Sequence, residues 1–131
     1  MTRPTSDHPT ELELMILKIL WNCSPLPVRE IRLRLAAQGR EIAHTSVITT
    51  LNIMVRKKSL KRTARRNSFL FVPNVTREGI SQGMLGDVMR RVFDGSAKAV
   101  MVALLESSEV DAEELLELKR YINRKARESL P

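Results

Sequence analysis

Apolar residues recur at three- and four-residue intervals near the start of the chain: Leu12, Met15, Ile16, Ile19 and Leu20, with Trp21 in the last turn. That spacing lines one face of a helix. Thr10 followed by Glu13 is the capping-box pattern that opens it, and Ser24-Pro25-Leu26-Pro27 stops it near Cys23. A second helix is predicted over Val28–Gln38, with Val28, Ile31, Leu35 and Ala36 inward, Arg29, Arg32 and Arg34 outward, and Gly39 at its stop. A third is predicted over His44–Lys58. On a wheel it gathers Val47, Ile48, Leu51, Met54 and Val55 on one side. The other side carries Thr45, Ser46, Thr49, Ile53 and Arg56, with Asn52 at its margin.

After Leu60 the pattern changes to alternation. Lys61–Ala64 and Ser68–Val72 read as two strands joined by Arg65-Arg66-Asn67, with Phe69 and Phe71 on one face and Leu70 and Val72 on the other. Pro73 ends the hairpin. Helical spacing then returns. Met84, Leu85, Val88, Val92 and Phe93 form a stripe that stops at Asp94-Gly95. Ser96 caps a helix bearing Ala97, Val100, Met101, Leu104 and Leu105, and Asp111 with Glu114 opens a last one with Leu115, Leu118 and Ile122 inward. Three short helices would struggle to build an independent core. Their apolar stripes are expected to pair with the same region of a second chain, the alternative being that they fold back on the first domain.

Charge sharpens this division. The 131 residues carry 22 Lys/Arg against 15 Asp/Glu, a net of +7. Residues 1–75 have a net of +8 and residues 76–131 a net of −1, so an anionic partner is expected for the first part only. Arg56, Lys57, Lys58, Lys61, Arg62, Arg65 and Arg66 form one stretch without an intervening acid. Such a run is often just a solvated surface. Here it falls at the end of the third helix and along the hairpin.

Three helices followed by a two-stranded hairpin is the order of a winged helix-turn-helix, in which the third helix enters the major groove. The expected fold is therefore mainly α with a small β-hairpin: a flexible amino terminus over 1–9, a winged-helix domain over 10–75 and a helical dimerisation region over 76–131. The expected groove contacts are Thr45, Ser46, Thr49, Asn52 and Ile53, the last against a thymine methyl. The expected phosphate-backbone contacts are His44, Arg56, Lys57, Lys61, Arg65 and Arg66. Dimerisation is assigned to Met84, Val88, Val92, Val100, Met101, Leu104, Leu115, Leu118 and Ile122.

Catalysis finds little support. His8 and His44 are the two histidines, Cys23 is the single cysteine, and none of the five glycines builds a phosphate loop. No metal-type spacing of ligands is present, so neither a metal site nor a cofactor is expected. No apolar run is long enough to span a bilayer, and the expected location is the cytoplasm. A ligand-sensing regulator and a winged-helix adaptor for proteins are the other readings. The adaptor reading, with the winged domain holding a protein, predicts weak salt dependence and no sequence preference.

The ordered series resembles the penicillinase and methicillin-resistance repressor family, over essentially residues 10–127. It comprises Glu11-Leu12-Glu13 through Leu20-Trp21, Thr45-Ser46-Val47-Ile48-Thr49-Thr50-Leu51-Asn52, Phe69-Leu70-Phe71-Val72-Pro73, Val92-Phe93-Asp94-Gly95-Ser96 and Glu113-Glu114-Leu115. The resemblance implies a homodimeric repressor on palindromic operators, often with TACA/TGTA half-sites. It also implies relief by a regulatory protease that cuts the dimerisation region, at a bond matching Ala103-Leu104, where the family has Asn-Phe. The carboxy-terminal cysteine cluster of copper-responsive relatives has no counterpart here. Ile53 and Lys58 stand where Arg and Gly are usual, and Arg66-Asn67 stands where Gly-Arg is common.

Overall fold

The computed structural model describes residues 8–130, so most of the flexible terminus expected over 1–9 lies outside the described residues. Among these, six helices and a three-stranded antiparallel sheet are formed. The chain divides into two compact units, the first running to Gly86 and the second beginning at Asp87.

The first unit starts with α1 (Glu11–Asn22). Its capping box is complete: the Thr10 hydroxyl accepts from the Glu13 backbone N–H at 3.2 Å, and Glu13 Oε1 accepts from the Thr10 N–H at 2.8 Å. A short strand, β1 (Leu26–Pro27), then leads into α2 (Val28–Ala37), and α3 (His44–Arg56) follows. The hairpin consists of β2 (Leu60–Arg65) and β3 (Ser68–Pro73).

Two features go beyond the sequence reading. The Pro-flanked segment expected only to break the chain also supplies β1, which pairs with β3 through Leu26 opposite Phe71 and Pro27 opposite Leu70. The sheet order is β1-β3-β2, so Pro27 lies on an edge strand, where a missing N–H breaks no ladder. The wing is also longer than expected. Arg65 pairs with Ser68, leaving Arg66-Asn67 as a two-residue turn in which Arg66 has φ 54°.

The core lies where the three helices meet the sheet. Ile16, Leu17, Leu20, Ile31, Leu35, Val47, Leu51, Met54 and Leu60 are almost wholly buried, and Phe71 and Leu26 close the sheet side. Ile48 and Val55, expected inward on the third helix, are half-buried at its flanks. Trp21 ties in the segment after the wing: its Nε1 donates to the Val75 carbonyl at 2.9 Å, and Arg77 stacks over its ring.

α3 ends in a Schellman arrangement. Ser59 N–H donates to the Met54 carbonyl at 2.9 Å and Lys58 N–H to Val55 at 3.0 Å, which places Lys58 at φ 67°. Lys58 and Arg66 thus both occupy left-handed backbone that favours glycine.

α4 (Arg77–Val92) crosses from the first unit into the second, and Ile80 packs on the first unit's core. The second unit continues with α5 (Ala97–Ser107) and α6 (Ala112–Glu128). Ser96 accepts from Ala99 N–H at 3.1 Å and Asp111 from Glu114 N–H at 2.8 Å, the caps expected from the sequence. No residue of α4, α5 or α6 is buried. No helix among the described residues is long and apolar enough to cross a membrane.

Candidate nucleic-acid interface

α3 is held by Val47, Leu51 and Met54, all fully buried, and this fixes which face is left outside. Thr45, Ser46, Thr49, Asn52, Ile53 and Arg56 all lie on the exposed side, as does His44 at the helix start. Ile53 is 36% exposed, an apolar patch among polar neighbours. Short hydroxyl and amide groups keep this face low enough for close approach to a grooved surface.

The hydroxyls also have a settled orientation. Thr49 Oγ1 donates to the Thr45 carbonyl and Thr50 Oγ1 to the Ser46 carbonyl, each at 2.9 Å. Their lone pairs remain as acceptors.

The wing supplies charge beside this face. Lys61, Arg62, Arg65 and Arg66 are exposed along β2 and its turn. Arg62 pairs across the sheet with Phe71, so it shares a face with Phe71 and Phe69. Its guanidinium lies 4.7 Å from the centroid of the Phe69 ring, and its Nη1 donates to Asn52 Oδ1 at 3.0 Å. Arg62 was one cation in a basic run when read from sequence. Folding makes it the residue that joins the wing to α3, through a contact ten positions apart that helix and strand periodicity do not encode.

Lys57 behaves differently from its neighbours. Its Nζ sits 3.2 and 3.1 Å from the two carboxylate oxygens of Glu13, a side chain buried to 4% exposure. Burial opposes ionisation of Glu13, but hydrogen bonds from Thr10 and Lys57 and the lysine charge outweigh it and hold the carboxyl below its ordinary range. Lys57 therefore balances an internal acid and braces α3 against α1. The sequence does not reveal this pairing, because Glu13 is equally satisfied as a capping residue and Lys57 lies 44 positions away.

The tail residues expected at a dimer seam lie mostly on exposed faces. Val88, Val92, Met101, Leu104, Leu115, Leu118 and Ile122 are exposed, and Met84 and Val100 are half-buried. Within the second unit, α5 and α6 frame a groove of about 380 Å³ lined by Met101, Leu104, Leu105, Leu115, Leu118 and Ile122 among others. No group of three or more potential metal ligands occurs among the described residues.

The penicillinase repressor family model matches residues 9–124, which takes in the wing, α3 and most of the tail. The chain belongs to the penicillinase repressor family. Over 114 residues it is 28% identical to the transcriptional regulator BlaI of Mycobacterium tuberculosis, covering 86% of this chain and 80% of that protein. Over 113 residues it is 22% identical to the penicillinase repressor of Bacillus licheniformis, covering 86% of this chain and 88% of that one. Among solved structures, the hsRosR-S4 complex of H. salinarum aligns with a TM-score of 0.51 and 14% identity over 91% of this chain and 90% of that one. At that identity the likeness concerns fold alone. Family membership agrees with the winged-helix architecture and gives the exposed α3 face a context.

Proposed function

We propose that this member of the penicillinase repressor family is a homodimeric, sequence-specific DNA-binding repressor acting on palindromic operators. The observation that carries the reading is the juxtaposition of an uncharged, hydrogen-bonding α3 face with a cationic wing. Thr45, Ser46, Thr49, Asn52 and Ile53 would meet base edges in the major groove. Arg56, Lys61, Arg65 and Arg66, with His44 beside them, would meet phosphates. Lys57 is left out of the phosphate set because its charge already faces Glu13.

Four phosphates neutralised per subunit, about eight per dimer, give a logarithmic salt slope of roughly −7. Replacing Arg65 and Arg66 with Ala should weaken all sequences alike and flatten that slope by about 3 to 4. Thr49→Ala should instead erode discrimination by roughly 1–3 kcal/mol if the hydroxyl reads a base.

A single winged domain offers little surface. Linking two raises the effective concentration of the second half-site, so occupancy depends on the tail. The bare apolar stripes of α4, α5 and α6 support pairing with a second copy, and any lesion that loosens them would relieve repression. Cleavage near Ala103-Leu104 is one such lesion. Because that bond lies inside α5, a protease would need the helix to open locally.

The deciding experiment is selection of bound sequences from random duplex DNA. A palindrome with half-sites about one helical turn apart is the expected result. No enrichment at moderate salt would overturn the reading in favour of a protein adaptor.

A further inference from the structure

Two hydrogen-bonding groups on the outer face of α3 have a fixed sense, set for Asn52 by Arg62 and for Thr49 by the Thr45 carbonyl. A guanidinium has donors and no acceptor, so the Asn52 atom 3.0 Å from Arg62 Nη1 is necessarily the amide oxygen. That leaves both N–H groups of Asn52 Nδ2 for a partner. Arg62 is itself anchored by the Phe69 ring at 4.7 Å. One turn earlier, the Thr49 hydroxyl hydrogen is committed to the Thr45 carbonyl, so Thr49 offers lone pairs.

The geometry points to Arg62 as a positioning residue for base reading: by donating to Asn52 Oδ1 it ties that oxygen to the wing and leaves the two Nδ2 donors of Asn52 for a base, beside an acceptor at Thr49. This rests on the DNA-binding reading above. An asparagine with both ends free grips adenine by accepting from N6 and donating to N7. Arg62 takes one of the two lone pairs of Oδ1 and fixes the amide's orientation, so the adenine grip, which needs Oδ1 at N6 and Nδ2 at N7 together, competes with that contact. Its two N–H groups suit an edge that bears acceptors and no donor, and the major-groove edge of guanine, with O6 and N7, is that edge. Asn52 is therefore a reader of guanine over adenine, and the wing holds it so.

The test is selection from random duplexes by the full-length chain and by its Arg62→Ala, Arg62→Lys and Asn52→Ala variants, at one salt concentration. Arg62 and Asn52 are exposed, so thermal melts of the variants should match the parent chain. The parent should prefer guanine at the base pair whose preference Asn52→Ala abolishes. Arg62→Ala should move that pair toward adenine by about fivefold or more, leaving the rest of the motif intact. Arg62→Lys keeps a donor and should retain guanine. If Arg62→Ala weakens every sequence alike with the motif unchanged, Arg62 is a phosphate contact and the assignment is overturned. Selection of adenine by the parent at the Asn52-dependent pair overturns it as well. A parent chain that enriches no motif fails differently: it removes the DNA-reading premise, and this assignment with it.

Discussion

The winged head and the helical tail are built from equally clear local signals yet end in opposite states of burial. In the head, side chains from α1, α2, α3 and the sheet converge, and Leu20, Ile31, Leu51 and Met54 lose all contact with solvent. In the tail, α5 and α6 have well-formed caps and long apolar stripes, but Leu104, Leu115, Leu118 and Ile122 stay about half exposed. Periodicity and capping specify a helix; they do not provide something to pack against. The head solves that problem within one chain. The tail leaves these apolar side chains exposed, and under the dimer proposed above a second copy covers them, so that oligomeric state and DNA occupancy are expected to move together.

The comparison can be broken most forcefully at the head's centre. Leu51→Ala removes a fully buried side chain and should cost about 2–5 kcal/mol, measured by denaturant unfolding and independent of protein concentration. A concentration-dependent loss would mean that the head, too, depends on a partner. Next in size, Leu118→Glu places a charge in the tail groove. It should yield monomers in sedimentation and lower operator affinity by about a hundredfold or more, with the head still folded by circular dichroism. Monomers that bind as tightly as the parent would separate the tail from DNA binding altogether.

A subtler probe is the Glu13–Lys57 pair. Since the carboxyl of Glu13 is held below its ordinary value, its contribution is complete above the ordinary glutamate range and disappears as pH falls through the lowered value. Glu13→Gln should cost about 1 kcal/mol at neutral pH and flatten the acid side of the stability curve. An unchanged acid limb would show that the pair does not brace the head. The smallest expected effect has the opposite sign. Lys58→Gly relieves a left-handed φ of 67° and should raise the head's stability by about 0.5–1 kcal/mol in the same denaturant assay.

Much of this architecture is legible along the chain. The Thr10–Glu13 capping box, the inward stripe of Val47, Leu51 and Met54, the alternation around Phe69 and Phe71, and the Ser96 and Asp111 caps all depend on neighbours within four residues. The outward face of α3 follows, because fixing the buried side of a helix fixes the other. Contacts between distant segments do not follow. Leu26 joins the sheet because Phe71 lies opposite it, Lys57 turns inward because folding buries Glu13 beside it, and Arg62 reaches Asn52 because β2 runs back along α3. Each of these partners is set by packing after the local elements have formed, and the same cationic run therefore holds one lysine that balances an internal acid and one arginine that orients an amide.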